Sequence, residues 1–246
     1  MIEPDSITRK SEKEKTMEEL KQLKVKTLDG ERLLSEAETK RYINLSKRQE
    51  QLEKEGFVRK GKLISVKTAN LVGNLSLLPL IILMVALYII RNGMNFLPKP
   101  AMQQYGKFAF VWILLAVVII VILFPVHELI HGFFYSLVSR NGWKDVEFGF
   151  AKETLTPYCT CLSPVKKQFY IIGALLPMTI LGIGSSILSI ILGNPFMLLI
   201  GLTHILGGAG DILIVIMILK EKLKGRNVMI FDHPYDIGFI IFEKAN

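Results

Sequence analysis

Two histidines and a glutamate stand together in a segment that is otherwise apolar. The run His127-Glu128-Leu129-Ile130-His131 places the two histidines four positions apart. Residues four apart share one face of a helix, so both imidazole rings can reach the same metal ion. Glu128 lies beside them and is placed to act on a water molecule without occupying a ligand position. The spacing therefore predicts a zinc site with His127 and His131 as ligands and Glu128 as the catalytic general base.

A catalytic zinc ion needs a third protein ligand and one open position. Asp211 is the favoured candidate. Asp211 lies nine residues before Lys220, and His131 lies nine residues before Arg140, where the apolar stretches end in a cation. Nine residues of a regular helix span roughly 13 Å, so both residues would lie at the same distance from the cationic end of their helix. His204 lies seven residues before Asp211, or roughly 10 Å away along the same helix. It is the alternative ligand, or else a polar group behind the ligands.

The two cysteines offer a second, weaker metal-binding pattern. Cys159 and Cys161 could bind a soft metal, but two ligands alone make a poor site. A C-x-C spacing is also a poor frame for a disulfide. We therefore expect both residues to be reduced thiols.

The composition around these residues is typical of a membrane protein. Half of the 246 residues are hydrophobic, and the mean hydropathy is +0.39. Residues 1–67 carry seventeen Lys/Arg and thirteen Asp/Glu, whereas the rest of the chain contains long stretches almost without charge. This partition excludes a single soluble globule, a disordered chain and a secreted disulfide scaffold.

Four stretches reach the roughly 20 apolar residues that a transmembrane helix needs. They are about Ala69–Ile90, Phe108–Val138, Phe169–Leu192 and Pro195–Leu219. We therefore predict an all-α membrane protein of about four transmembrane helices, with small cytoplasmic β-hairpin elements and an N-terminal cytoplasmic helix. The second and fourth helices would carry the metal ligands.

The placement of positive charge predicts the orientation in the membrane. Lys and Arg cluster before the first span, after the second and after the fourth. The positive-inside rule then places both termini in the cytoplasm. The net charge of +8 is explained in this way without a nucleic-acid partner, and anionic lipid head groups remain an expected partner.

The chain divides into three parts by composition. Residues 1–66 form a charged cytoplasmic region with a disordered start, over residues 1–30, and a helix at about 33–55. Residues 67–224 form the four-span membrane domain. Residues 225–246 form a short cytoplasmic tail, in which two β-rich runs, Val228–Phe231 and Ile237–Phe242, flank a turn and predict a hairpin.

A short alternating segment follows the second span. Within Asp145–Phe150, the side chains of Val146, Phe148 and Phe150 fall on one face of a strand. Such a strand could pair with an unwound substrate by strand addition. We expect these three residues to contribute to substrate binding.

The sequence resembles the family of putative zincin peptidases. The resemblance rests on the histidine motif with Gly132 after it, the Pro157-Tyr158-Cys159 loop, Leu176-Pro177 and Gly207–Asp211. The tail residues Asp232-His233-Pro234 and Gly238-Phe239 are also similar to that family, so the resemblance covers about residues 100–242. In one respect the chain differs from the related site-2 proteases: the fourth span has Gly-Asp-Ile where those proteins have Asp-Gly.

The resemblance implies a fold, a cofactor and an activity. The family consists of bacterial and archaeal multi-pass proteins related to the site-2-protease intramembrane metalloproteases. It implies a zinc metallo-endopeptidase of the prokaryotic cell membrane, with one Zn²⁺ per chain, that cuts membrane-anchored proteins near the cytoplasmic face.

Two other functions use the same residues. One is a non-catalytic zinc-binding membrane scaffold, which the intact Glu128 disfavours, since a structural zinc site does not need it. The other is a metal or proton transporter, which the lack of two related halves in the sequence disfavours.

Overall fold

The computed structural model combines a set of apolar helices with a small antiparallel sheet packed at one end of them. The structure describes residues 24–27, 30–63, 66–93, 109–151, 156–223, 227–236 and 238–244. Residues 1–23 of the expected disordered start, and Phe108 and Ile237 at the starts of two predicted elements, lie outside these ranges.

Three stretches of helix in the described part of the chain are long and apolar enough to cross a membrane. The bent pair in the fourth predicted span makes a fourth if it is counted as one span. The first two are helices α2 (Val66–Asn92) and α3 (Ala109–Val138). The third runs from Lys167 to Leu192. The expected spans are thus present as helices, which is compatible with a multi-pass membrane protein.

The third stretch changes its winding in the middle. It consists of α4 (Lys167–Pro177), a π-helical segment (Met178–Gly184) and α5 (Ser185–Leu192). A Cβ atom at Gly182 would lie 2.8 Å from the Ile205 side chain. The wider turn therefore faces the fourth stretch at close range, and only a residue without a side chain fits there.

The fourth stretch is broken where the sequence predicted one continuous span. Helices α6 (Pro195–Gly207) and α7 (Ala209–Lys220) meet at Gly208 with a bend of 44°. A Cβ atom on Gly208 would lie 2.9 Å from Cβ of Met178, and one on Gly73 would lie 2.4 Å from the carbonyl oxygen of Ala209. The break is therefore packed between α2 and the π-helical segment.

The sheet joins the N-terminal region to the tail. Its strands run in the order β3, β8, β7, β6, and all neighbours are antiparallel. They are β3 (Phe57–Leu63), β6 (Val165–Lys166), β7 (Asn227–Asp232) and β8 (Gly238–Lys244). The predicted tail hairpin is present as β7 and β8. The pairing of β3 with β8 was not predicted, and it joins the described residues 57–63 of the N-terminal region to residues 238–244 of the tail in one sheet.

Helix α1 (Glu36–Lys54) occupies the predicted position and covers this sheet. Ser35 and Glu38 form a capping box at its start. Burial raises the pKa of Glu38, but hydrogen bonds from Arg32 and Ser35 outweigh it and leave that pKa below its ordinary value. The buried leucines of α1, Leu45 and Leu52, pack with side chains of the sheet: Phe57, Phe231, Ile240 and Phe242.

A second hairpin precedes α1, where the sequence predicted disorder. Strands β1 (Lys24–Thr27) and β2 (Gly30–Leu33) are antiparallel. Val25 is buried, and the Thr27 hydroxyl donates a hydrogen bond to the Gly30 carbonyl at 2.7 Å. Charge alternation alone suggests a solvated segment, but the burial of Val25 and the hydrogen bond between Thr27 and Gly30 stabilise the two strands.

Candidate metal centre

The three predicted ligands converge on one point. Nε2 of His127 lies 3.3 Å from Oδ2 of Asp211, and Nε2 of His131 lies 3.4 Å from the same oxygen. Ligand atoms of the three residues all lie within 4.8 Å of one another. Both histidines are buried, and only a quarter of the Asp211 side chain is exposed. Residues 80 and more positions apart in sequence thus form one cluster.

The two nitrogen-to-oxygen distances match those between neighbouring ligands of a tetrahedral zinc ion. Zinc bonds of roughly 2.0–2.2 Å place tetrahedral ligand atoms about 3.3–3.6 Å apart. An ordinary N–H···O hydrogen bond is shorter, at about 2.7–3.2 Å. One oxygen that faces two imidazole nitrogens at 3.3 and 3.4 Å therefore matches a shared metal better than two hydrogen bonds. Two nitrogens and one carboxylate oxygen are also a donor set that catalytic zinc uses.

A backbone carbonyl fixes the orientation of His131. Its Nδ1 lies 2.8 Å from the carbonyl oxygen of Gly173, and since that oxygen can only accept, Nδ1 carries the proton. The lone pair of Nε2 is then free to bind a metal. A Cβ atom on Gly173 would lie 2.4 Å from Cε1 of Tyr135. The missing side chain therefore lets α4 approach α3 closely enough for this hydrogen bond.

The bend at Gly208 determines where Asp211 lies. Asp211 is in the first turn of α7, directly after the break. The unpaired N–H groups at a helix start favour a carboxylate in that turn. The bend also gives α7 a direction of its own, so that its first turn reaches the two histidines of α3.

His204 does not join the ligand cluster. It lies on α6, before the bend, fully buried, and its ring stacks on that of His127 with centroids 6.4 Å apart. Neither of its ring nitrogens has a hydrogen-bond partner among the described residues. Of the two candidates for the third ligand, the structure brings Asp211 to the other two. His204 packs behind His127.

Glu128 faces a hairpin that lies against α3. Strands β4 (Val146–Ala151) and β5 (Thr156–Cys161) form this hairpin, and the Glu128 carboxylate lies close to the backbone N–H of Cys159. Gly132 makes the approach possible, because a Cβ atom there would lie 2.4 Å from Cζ of Phe148. The sequence motif and the hairpin are therefore in direct contact.

The three residues expected to bind substrate lie on β4. Phe148 and Phe150 are exposed, with 46% and 57% of their surface accessible, and Val146 is half-buried. Phe148 and Val146 both lie next to Gly132 on α3. Among the described strands, β4 pairs with β5 and with no other, so its second edge is open.

Sequence reasoning missed a carboxylate that holds the site from the tail. Asp232 accepts hydrogen bonds from the Thr160 hydroxyl at 2.9 Å, from the Cys161 backbone N–H at 3.0 Å and from the Tyr170 hydroxyl. It thereby connects β7 to β5 and to the start of α4. In the sequence, the Asp232-His233-Pro234 run indicates only a family likeness, and the partners of Asp232 are too distant along the chain to be inferred.

Stacked aromatic rings extend from this carboxylate to His131. The Tyr170 ring stacks on Tyr135 with centroids 5.9 Å apart, and Tyr135 stacks on His131 at 6.2 Å. The Tyr135 hydroxyl also donates to the Tyr170 carbonyl at 3.4 Å. Both tyrosines are buried. The tail sheet and the histidine pair are thus connected by continuous packing.

The two cysteines are free thiols beside the site. Burial raises the pKa of Cys161 to about 12, and burial with the nearby Asp232 carboxylate raises the pKa of Cys159 well above its usual value. A thiol is a good nucleophile and metal ligand only as a thiolate. Both residues therefore stay protonated, in agreement with the expected reduced thiols.

The match to a known family covers this same part of the chain. A family model described as "Putative zincin peptidase" matches residues 120–224, somewhat less than half of the sequence. No curated protein and no solved structure matches the chain. The matched residues include both histidines, Glu128 and Asp211, but not the tail or the N-terminal region. The resemblance predicted from the motif is confirmed over residues 120–224, and the segment that brings the candidate metal ligands together is similar to the putative zincin peptidase family.

Proposed function

We propose that the protein is an intramembrane zinc metallo-endopeptidase of the site-2-protease type. The family match indicates a metallopeptidase. The observation that supports the intramembrane form is that all three ligand residues lie on helices of the kind that can cross a membrane. Ionisable residues in such helices are costly and are usually functional.

Each residue of the cluster has a separate role in this reaction. His127, His131 and Asp211 would hold the ion, and when bound, zinc supplies Lewis acidity that acidifies water and polarises a carbonyl group. Glu128 accepts the proton of the attacking water and then donates it to the amide nitrogen of the leaving peptide. The N–H of Cys159 lies close to the Glu128 carboxylate and can hold it in place before substrate arrives.

Membrane-anchored proteins are the proposed substrates. A peptide bond in an intact transmembrane helix is hydrogen-bonded and shielded, so the substrate must unwind before water can attack it. The reaction therefore needs an unwound substrate and access for water. A cleavage position near the cytoplasmic face, where water is close, meets both requirements. The location in a prokaryotic cell membrane, with both termini cytoplasmic and no nucleic-acid partner, is part of the same proposal.

The β4–β5 hairpin is the proposed place where the unwound substrate pairs. The outer edge of β5 has few free donors: the Cys161 amide donates to Asp232, the Cys159 amide lies beside Glu128, and Pro157 has no amide hydrogen. The open edge is that of β4, which carries Phe148 and Phe150. Glu128 lies beside β5, on the other side of the hairpin from this open edge. Neighbouring strands lie about 4.8 Å apart, so a substrate strand paired with β4 is separated from Glu128 by the width of the hairpin. The scissile bond must therefore lie beyond the paired segment, where the substrate turns towards Glu128.

The runner-up is a zinc-binding membrane scaffold without catalysis. It requires the same three ligands but no group that moves a proton. The position of Glu128 next to His127 in the sequence, with its carboxylate close to the backbone N–H of Cys159, favours the peptidase. A metal or proton transporter is a more distant alternative.

The decisive experiment measures zinc and cleavage together. The full chain is purified in detergent, its zinc is quantified, and its activity is assayed on a synthetic single-span peptide with a helix-breaking Gly-Asn segment near one end. In the Glu128→Gln variant we expect zinc to be retained and cleavage to be lost. Equal cleavage by this variant and the unaltered protein would overturn the mechanism, and zinc without cleavage in both would favour the scaffold.

A further inference from the structure

Helix α1 contacts the hairpin from the side opposite the metal ligands. Nε of Arg41 lies 3.7 Å from Oε1 of Glu147 on β4, and the Arg41 guanidinium carbon lies 5.2 Å from the ring centre of Tyr158 on β5. One side chain thus holds both strands. Only 13% of the Arg41 side chain and 25% of the Glu147 side chain are exposed, so solvent screens this ion pair less than a surface pair.

The register of the hairpin relates this contact to the site. Glu147 pairs with Thr160, and Phe148 pairs with Cys159. Since successive side chains point to opposite faces of a sheet, Glu147 lies on the α1 face while Phe148 lies on the α3 face. The Phe148 ring meets Gly132, and the Cys159 amide meets Glu128. The hairpin is therefore enclosed between α1 and the zinc-ligand helix.

A second contact holds the base of the hairpin. Asn44 lies three residues after Arg41 and hence on the same face of α1. Its side-chain amide donates a hydrogen bond to the carbonyl of Leu162, directly after β5. The Leu162 amide in turn donates to the carbonyl of Asp145 at 2.6 Å, just before β4. Helix α1 therefore contacts both strands and the base of the hairpin.

The ion pair leaves each partner dependent on the other. Nε of Arg41 and Oε1 of Glu147 are both buried and have no hydrogen-bond partner among the described residues. Removal of one charge would leave the other buried and unpaired, which costs more than the pair contributes. Loss of Arg41 would therefore release β4 from α1 and would not simply delete a surface contact.

We propose that Arg41 is a positioning residue for Glu128. Through Glu147 and Tyr158 it fixes the hairpin, and the hairpin in turn positions Glu128, because Phe148 packs against Gly132 on the same helix and the Cys159 amide lies beside the Glu128 carboxylate. Helix α1 lies outside the residues that match the family, so the N-terminal region supplies part of the catalytic geometry here. The effect on catalysis rests on the proposed peptidase function, whereas the effect on the hairpin does not.

The test compares Arg41→Ala with Lys40→Ala, a matched control whose exposed side chain pairs with Glu36 on the same helix. Hydrogen exchange of the hairpin amides, residues 146–161, is followed by mass spectrometry, together with zinc content, thermal unfolding, kcat and KM on the single-span peptide. In Arg41→Ala we expect about tenfold faster exchange of the Cys159 amide. We also expect a lower kcat with unchanged zinc content. Lys40→Ala should behave as the unaltered protein.

A charge reversal separates positioning from general stability. The double variant Arg41→Glu with Glu147→Arg restores the ion pair, and its exchange and kcat should lie closer to the unaltered protein than those of either single reversal. Arg41→Lys keeps the charge but not the planar contact with Tyr158, and should be intermediate. This variant also provides a result if Arg41→Ala does not fold.

Two results would overturn the proposal. One is hairpin exchange in Arg41→Ala equal to that in Lys40→Ala, and the other is no rescue by the double reversal. If no protein, including the unaltered one, cleaves the peptide, the proposed function is in question. The exchange of the Cys159 amide still decides whether Arg41 positions the contact to Glu128.

Discussion

Nδ1 of His131 donates a hydrogen bond to the backbone carbonyl of Gly173 at 2.8 Å. This bond joins α3 to α4 and leaves Nε2 of His131 directed at Asp211. A ligand histidine with its second nitrogen fixed in this way binds a metal more tightly than a freely rotating one. The carbonyl comes within reach because residue 173 has no side chain.

We expect Gly173→Ala to weaken zinc binding by about 10–100-fold, as is usual when the partner of a ligand is displaced. The new methyl group would lie 2.4 Å from the Tyr135 ring and would push α4 away from His131. Competition against a fluorescent chelator measures the affinity. Gly210→Ala is the control, because nothing lies within 4 Å of its Cβ position. Equal affinity in the two variants would contradict the role of the carbonyl.

The ligand set predicts a clear difference between two variants of the fourth stretch. Asp211→Ala removes a ligand and should lower zinc affinity by more than about 100-fold, beyond the effect of an outer-shell change. His204→Ala removes a buried ring that lies outside the cluster, and it should lose thermal stability while keeping its zinc. Metal analysis of both purified variants measures this, and zinc loss in His204→Ala alone would make His204 the third ligand.

Asp232 should matter for stability more than any one of its donors. Asp232→Asn removes a charge that accepts from three groups, and we expect a loss of about 2–4 kcal/mol, since bonds to charged groups are the stronger ones. Tyr170→Phe removes one of the three donors and should cost about 1–2 kcal/mol. Chemical unfolding monitored by tryptophan fluorescence measures both. A Tyr170→Phe loss as large as that of Asp232→Asn would argue against a shared acceptor.

The tail turn should make stability depend on pH. Burial, with Arg59 nearby, lowers the pKa of His233 from 6.5 to about 3, and its Nδ1 accepts from the Asp236 amide at 3.1 Å. The unfolded chain takes up a proton at this histidine below about pH 6.5, whereas the folded chain does so only near pH 3. The contribution of His233 is therefore complete above the unfolded pKa and is lost as the pH falls through this window.

We expect a loss of up to about 2 kcal/mol from this residue between about pH 7 and pH 5. Thermal unfolding at the two pH values measures it. His233→Asn keeps an acceptor for the Asp236 amide but does not titrate. If this variant loses as much stability at the lower pH as the unaltered protein does, His233 is not responsible.

The sequence predicted those features that depend on the spacing of nearby residues or on the distance of a residue from the end of its helix. His127 and His131 share a helix face by periodicity, and Asp211 was matched to them by its distance from a cationic helix end. The predicted spans appear as helices because long apolar runs allow few other structures. The bend at Gly208 could not be predicted from the sequence, since a glycine permits a break but only the packing of Met178 and Ala209 requires one.

The supporting structure around the site could not be predicted in this way. The Gly173 carbonyl has no side chain to signal its role, and the partners of Asp232 lie some 60–70 residues away. In the sequence, Arg41 is one of many charged residues on a helix predicted to be solvated, and only the structure shows that it contacts the hairpin. These contacts arise from tertiary packing, for which a single sequence carries no periodic pattern.

The pairing of β3 with β8 has a practical consequence for anyone who cuts the chain. The segment that matches the family, residues 120–224, excludes β3, β7 and β8. A fragment of that length would lose the carboxylate of Asp232 and the helix that holds the hairpin. A fragment that kept the tail but began after β3 would instead leave β8 as a bare edge of buried apolar residues, Phe239–Phe242, and such edges recruit other chains. Aggregation of a shortened protein would then be a result of the cut itself, and its inactivity would say nothing about the metal centre.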